Sequence, residues 1–239
     1  MIAATMERKV LIFSLLINAF LLLALLYGIH RLGGFSYLKY RLQNKGNAGV
    51  YENRKQLFET LPVHKNNIVF LGNSIIEQCE WSELFGNPNI INRGIAGDVA
   101  VRLLERLDPI IKGQPAKIFL LIGINDLIYG GLDDLRNNYP LILEKIKTSS
   151  PNTKIYVHSL LPINPNLRKM SLTNEGIKAF NEELKKIASE AKVVYINLHD
   201  ELIDEQNNLN VSYSTDGIHL NGEAYQIWKH AIEKYVGSD

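Results

Sequence analysis

Ile68-Val69-Phe70-Leu71-Gly72-Asn73-Ser74-Ile75 is an apolar run that stops on a glycine and presents a serine two residues later. A strand buried on both faces reads this way, as a continuous run rather than an alternation. A polar residue just past the carboxyl end of such a strand stands where open α/β sheets bind their ligands. Ser74 is therefore a candidate nucleophile on position alone. The plainer reading is a serine that caps the helix after a βα turn. What the rest of the chain brings to the same edge decides between them.

Working outward, strands and helices alternate. Strands are expected at Asn67–Leu71, Ile90–Asn92, Lys117–Ile122, Lys154–Leu160 (stopped by Pro162) and Val193–Asn197. Helical periodicity covers Val99–Ile111, with Asp98 as its expected N-cap, then Leu132–Thr148, Thr173–Ala188 and Gly222–Val236. Five strands alternating with helices imply βαβ units, a mostly parallel sheet and right-handed crossovers.

The chain has 239 residues, 46% hydrophobic and 21% charged, with a formal net charge of +1. That is enough for one sizeable domain plus an extension. The balanced charge gives no reason to expect a nucleic-acid partner. Cys79 is the single cysteine, so no intrachain disulfide can form. No CxxC or HExxH spacing and no other His/Cys cluster suggests a metal.

The amino terminus differs from the rest. Val10 to Ile29 carries no charged residue, and at 1.5 Å per residue it covers roughly 30 Å, one hydrocarbon core. Arg8 and Lys9 precede it, His30 and Arg31 close it, and no A-x-A-like site lies near its end. An uncleaved anchor is expected rather than a removed signal peptide. The expected organisation is a tail over 1–9, a single-pass transmembrane anchor over 10–29, a juxtamembrane linker over 30–62, partly helical from Tyr51 to Thr60, and a domain over 63–239. Arg31, Lys39, Arg41 and Lys45 after the span outnumber Arg8 and Lys9 before it. Charge counting thus leans toward a cytoplasmic carboxyl side.

In a parallel sheet every strand-to-helix loop opens on one edge. The loops then form one set: Gly72-Asn73-Ser74, Asn92 to Asp98, Gly123-Ile124-Asn125-Asp126, and Ser214 to Leu220. They bring together a hydroxyl, glycine-bearing turns, an amide, carboxylates and an imidazole. Acyl transfer by a serine needs such parts. The weak hydroxyl nucleophile needs a base, and an imidazole oriented by a carboxylate is the usual one. The tetrahedral oxyanion needs fixed donors. Gly97 has no Cβ to keep its N–H away from a substrate, and Asn125 can donate from its amide. Singly, His219 reads as a surface or core histidine, Asp216-Gly217 as a turn and Asn125-Asp126 as a helix cap. Together at one edge they read as a site. The G-x-S-x-G elbow of α/β-hydrolases is absent.

These blocks resemble the SGNH/GDSL hydrolases over residues 66–236. Gly72-Asn73-Ser74-Ile75 is similar to the first family block, with Ser74 as nucleophile. Asn92 to Asp98 is similar to the second, whose glycine gives a backbone N–H to the oxyanion; Gly97 is the better match and Gly94 the alternative. Gly123 to Asp126 is similar to the third, with Asn125 as the other donor and Asp126 as support. Asp216-Gly217-Ile218-His219 is similar to the last, with His219 as base and Asp216 as its orienter. Asn92 to Ile95 and Asp216 to Tyr225 look most like the platelet-activating-factor acetylhydrolase-like and carbohydrate O-acetylesterase branches. The resemblance implies a flavodoxin-like three-layer α/β/α sandwich with no metal or organic cofactor. It also suggests an exported enzyme held at the outer face of a bacterial inner membrane, against the charge count. Asn73 stands where the family usually has aspartate; it keeps the shape and one acceptor and loses the charge.

The expected function is a serine esterase removing a short acyl group, most simply acetyl, from a small-molecule, glycan or lipid ester. Asn164, Asn166 and Arg168 after the fourth strand are candidates to line a wet cleft. The alternatives are a lysophospholipase or thioesterase, and an inactive membrane-tethered binding module.

Overall fold

A computed structural model of the protein describes residues 2–31 and 48–237. The rest of the expected linker, 32–47, including Lys39, Arg41 and Lys45, lies outside the described residues. Contacts divide the chain into a unit over 1–45 and a unit over 46–239. The described residues of the first form the helix α1 (Ile2–Arg31). Within it Leu11–Ile29 is long and apolar enough to cross a membrane, with a mean hydropathy of 2.4.

The second unit is built on five parallel strands, β1 (Ile68–Gly72), β2 (Ile90–Gly94), β3 (Lys117–Leu121), β4 (Lys154–His158) and β5 (Val194–Ile196). Their spatial order is β2-β1-β3-β4-β5. All five expected strands are present, with ends shifted by up to two residues. Every residue of β1 and β3 is buried, as strands covered on both faces require. Phe70, Phe119 and Tyr156 lie in register across three strands. Their rings stack with centroids 4.9 and 4.6 Å apart, and Trp81 extends the stack at 4.0 Å. Trp228 meets Trp81 edge-on at 5.0 Å, so the last helix, α10 (Gly222–Gly237), closes this face of the core.

Short helices follow the strands: α3 (Ser74–Glu77) and α4 (Trp81–Phe85) after β1, α5 (Ala100–Glu105) and α6 (Asp108–Lys112) after β2, α7 (Ile124–Ile128) and α8 (Leu132–Ser149) after β3, and α9 (Asn174–Glu190) after β4. The single helix expected over Val99–Ile111 is two. Pro109 sits in the first turn of α6; without an N–H it cannot continue a helix through that point but suits the start of one. Asp98 is not the N-cap of α5: Val99 holds that place, and the Asp98 carboxylate turns inward to an arginine.

Part of the segment read as linker is α2 (Ala48–Thr60), which belongs to the 46–239 unit. Tyr51 and Phe58, seven residues apart on one helical face, form a small buried cluster with Ile95.

The sheet order reverses at β1, with β2 on one side and β3 on the other. Ligands of open α/β sheets bind at such a switch point, beyond the carboxyl ends of the strands. Gly72 and Gly94 end β1 and β2 side by side. A Cβ on Gly72 would lie 2.1 Å from the Leu121 carbonyl oxygen, and one on Gly94 would lie 2.3 Å from the Glu77 nitrogen. Close backbone approach therefore requires glycine at both positions.

Candidate active site

Ser74 is the first residue of α3. The Asn73 side chain caps that helix, its Oδ1 accepting from the Ile75 N–H at 3.0 Å. The cap alternative weighed for Ser74 falls to its neighbour: Asn73 does the capping, and the Ser74 hydroxyl turns to the imidazole of His219. His219 Nε2 lies 2.9 Å from Ser74 Oγ, and His219 Nδ1 lies 2.6 Å from Asp216 Oδ2. With Nδ1 protonated toward the carboxylate, Nε2 is left to accept the serine proton.

The 214–220 loop sets this geometry through its own hydrogen bonds. Asp216 Oδ1 accepts the backbone N–H groups of Ile218 at 3.0 Å and His219 at 2.8 Å. Ser214 Oγ accepts the Gly217 N–H at 2.9 Å. Gly217 has φ +81°, and a Cβ there would lie 2.6 Å from the Asn164 carbonyl oxygen. A carboxylate and imidazole three residues apart can face each other because this turn is left-handed at its glycine. Partial burial works to raise the Asp216 carboxyl, but the bonds from the His219 ring and the two N–H groups outweigh it and hold the group at about 2. It is ionised whenever the imidazole needs orienting.

Opposite lies the loop between β2 and α5. Its backbone turns through Gly97, at φ +74°, between Ile95 N–H bonded to the Gly72 carbonyl and Asp98 N–H bonded to the Ile95 carbonyl. Gly94 is occupied: its N–H donates to Asn92 Oδ1 at 2.8 Å and its carbonyl accepts from Arg54 Nε at 2.9 Å. The Gly94 N–H is thus committed to its own strand end, which speaks against it as an oxyanion donor; Gly97, the better match to the family block, lies at the left-handed turn of the same loop. Asn125, in the first turn of α7, donates from Nδ2 to the Asp98 carbonyl at 2.9 Å. The amide nitrogen carries a second hydrogen, and the side chain is partly exposed.

Asp126 is buried and accepts the Ala100 N–H with both oxygens, at 3.1 and 3.2 Å. It caps α5 from another element. Burial raises its carboxyl well above the ordinary range. Asn164 does not line a cleft. It is buried, with Nδ2 on the Leu209 carbonyl and its N–H on the Gly217 carbonyl, and so supports the Asp216 turn. Asn166 donates its N–H to Asn164 Oδ1. Arg168 stays exposed, 3.8 Å from Asp216 Oδ2.

The sequence reading missed a buried polar frame behind the site. Asp98 Oδ2 pairs with Arg106 at 2.8 Å, and Arg106 Nη2 donates to the Gly72 carbonyl at 3.0 Å. Asp98 Oδ1 accepts from the Tyr51 hydroxyl at 3.2 Å and the Val99 N–H at 3.1 Å. Asn92 Nδ2 donates to three carbonyls, of Ile76, Glu77 and Cys79. Arg102 and Arg106, four apart in a stretch of apolar periodicity, were the available signal: a charge on a core-facing side demands a partner.

Residues 70–227 match the GDSL-like Lipase/Acylhydrolase family. A multidomain esterase of Ruminococcus flavefaciens is 28% identical over 229 residues, covering 88% of this chain and 27% of its own length. The platelet-activating factor acetylhydrolase IB subunit alpha2 of Rattus norvegicus is 25% identical over 169 residues, covering 66% of this chain and 71% of its own. The chain spans 40% or less of the length of two curated relatives that it matches. A solved Streptococcus pneumoniae protein, provisionally described as a platelet activating factor, superposes with a TM-score of 0.76 at 31% identity, over 82% of this chain and 97% of its own. By family match and by fold, the chain belongs to the GDSL-like lipases/acylhydrolases.

Proposed function

We propose that this protein is a membrane-anchored serine esterase that hydrolyses short acyl esters, acetyl esters foremost. The observation that carries the mechanism is the unbroken relay from Ser74 Oγ through the His219 ring to Asp216, with spacings of 2.9 and 2.6 Å. Ser74 attacks the ester carbonyl as Nε2 of His219 takes its proton. The oxyanion is met by the Gly97 N–H and the Asn125 amide. Collapse expels the alcohol, which receives the proton from His219. Water, activated by the same nitrogen, then releases the acid and restores Ser74. Asp216 holds the imidazole in the tautomer that both halves need.

The preference for acetyl is supported by an acetylhydrolase among the relatives. Anchoring is supported by the uncharged stretch Leu11–Ile29, and an extracytoplasmic site follows the family resemblance. The test uses the full chain in detergent micelles with p-nitrophenyl acetate, p-nitrophenyl octanoate, a lysophospholipid, an acyl thioester and a panel of acetylated sugars. Faster turnover of acetyl esters supports the reading. Preference for the octanoate, the lysophospholipid or the thioester moves it to a lysophospholipase or thioesterase. No turnover and no labelling of Ser74 by a fluorophosphonate leaves a binding module. Protease accessibility in spheroplasts reports the side of the membrane.

A further inference from the structure

Helix α2 lies outside the family match, which begins at residue 70, yet its inner face is spent on the loop that carries Gly97. Tyr51 donates its hydroxyl to Asp98 Oδ1 at 3.2 Å. Three residues on, Arg54 donates from Nε to the Gly94 carbonyl at 2.9 Å and pairs with Glu77 Oε1 at 2.8 Å. Glu77 in turn accepts the Ala96 N–H through its other oxygen. Phe58, one turn further, packs with Tyr51 on Ile95, and the guanidinium groups of Arg54 and Arg93 lie 5.0 and 4.9 Å over its ring. Residues 94, 95, 96 and 98 are thus each held, directly or through Glu77, by this one helix. Gly97 sits between them, and the Asp98 carbonyl receives the Asn125 amide. Both candidate oxyanion donors are fixed through the same short loop.

We propose that α2 is a positioning element for the oxyanion hole, with Tyr51 and Arg54 as its positioning residues. Neither touches the reacting atoms. Tyr51 acts through Asp98, whose carboxylate is already committed to Arg106 and whose carbonyl orients Asn125. Arg54 acts through the Gly94 carbonyl and Glu77. An oxyanion hole works because its donors are in place before charge develops, and a donor free to drift must be reorganised during the reaction. The neighbours of Tyr51 support such a fixed placement: Arg102 stacks over its ring at 3.1 Å and is itself paired with Glu52 of the same helix at 3.2 Å.

The inference rests on reading Gly97 and Asn125 as oxyanion donors, and the experiment separates the two. Full-length protein in micelles is compared as parent, Tyr51→Phe, Arg54→Gln, the double variant, Asn125→Ala and Leu57→Ser, the last on the exposed side of α2. Tyr51→Phe removes one oxygen and leaves the ring packed, so it folds. For each variant kcat and KM for p-nitrophenyl acetate are measured per folded molecule, together with inhibition by an alkylboronic acid that mimics the tetrahedral adduct. The expected result is a kcat about tenfold lower in each single variant and lower again in the double, KM within about twofold, and boronate affinity falling by the same factor as kcat/KM. Leu57→Ser matches the parent. A purely structural role lowers the thermal midpoint and leaves kcat per folded molecule and boronate affinity at parent values; that outcome overturns the proposal. If Asn125→Ala also matches the parent, the oxyanion reading itself fails. If Asn125→Ala is slow and Tyr51→Phe and Arg54→Gln are not, only the role of α2 fails.

Discussion

His219 Nε2 stands 2.9 Å from Ser74 Oγ, although 145 residues separate them in the chain. The parallel sheet makes this contact possible. β1 delivers the serine and the loop before α10 delivers the histidine to one edge, while the Tyr225 hydroxyl on α10 bonds the Ile75 carbonyl at 2.7 Å and ties the two elements together. Removing the hydroxyl in Ser74→Ala leaves the base with nothing to activate. Turnover of p-nitrophenyl acetate should fall by roughly 10² or more, because the serine and histidine act as one unit. A variant with parental kcat sinks the mechanism.

Asp216→Asn tests the orientation of the imidazole. The amide presents N–H where a carboxylate oxygen accepts from Nδ1, so the ring must place its proton on Nε2, facing the serine. Activity should fall by about 10²–10⁴, with the fold kept because Oδ1 still accepts the Ile218 and His219 N–H groups. Circular dichroism and steady-state kinetics on one preparation check both halves.

Asn125→Ala removes one of the two proposed oxyanion donors. A loss of roughly 10²–10³ in kcat is expected, with KM little changed. Because the side chain also bonds the Asp98 carbonyl, Asn125→Asp is the companion variant: it keeps the size and replaces a donor by acceptors, and should be as slow as the alanine variant.

Asn73→Ala deletes the cap on the Ile75 N–H and should lower stability by about 1 kcal/mol, read as a lower thermal midpoint. Asn73→Asp keeps the acceptor. It also removes Nδ2, a buried atom without a hydrogen-bond partner among the described residues. The carboxylate in its place is itself buried, so the aspartate variant should regain stability over the alanine one as pH falls.

Asp126 gives stability a slope with pH. Its folded carboxyl titrates well above the ordinary value, chiefly through burial. Above the ordinary carboxylate range, at about pH 4, the unfolded chain has released this proton and the folded chain still holds it. Stability from this group therefore falls as pH rises through the folded value. Asp126→Asn, neutral throughout and still able to accept the Ala100 N–H, should show a thermal midpoint that falls less steeply as pH rises above about 4. Equal slopes in parent and variant would falsify the assignment.

The strands were legible because β1 and β3 are apolar at every interior position, a signal that needs no partner to be read. The residues of the site were legible because parallel topology turns separate loops into one edge. What stayed hidden was support. Tyr51 and Arg54 are ordinary surface types that reach Asp98 and the Gly94 carbonyl 47 and 40 residues away in sequence, and no local period points to them. Asp98 shows the cost: beside a helical run it reads as an N-cap, and only the guanidinium of Arg106, two turns on, draws it into the core. Asn164 was singled out for the right neighbourhood and the wrong surface, because a buried asparagine and a wet one look alike in sequence.

The family model matches from residue 70, whereas the side chains that hold the loop carrying Gly97 begin at Tyr51. Without α2, Ile95 would be uncovered and Asp98 would lose the Tyr51 hydroxyl.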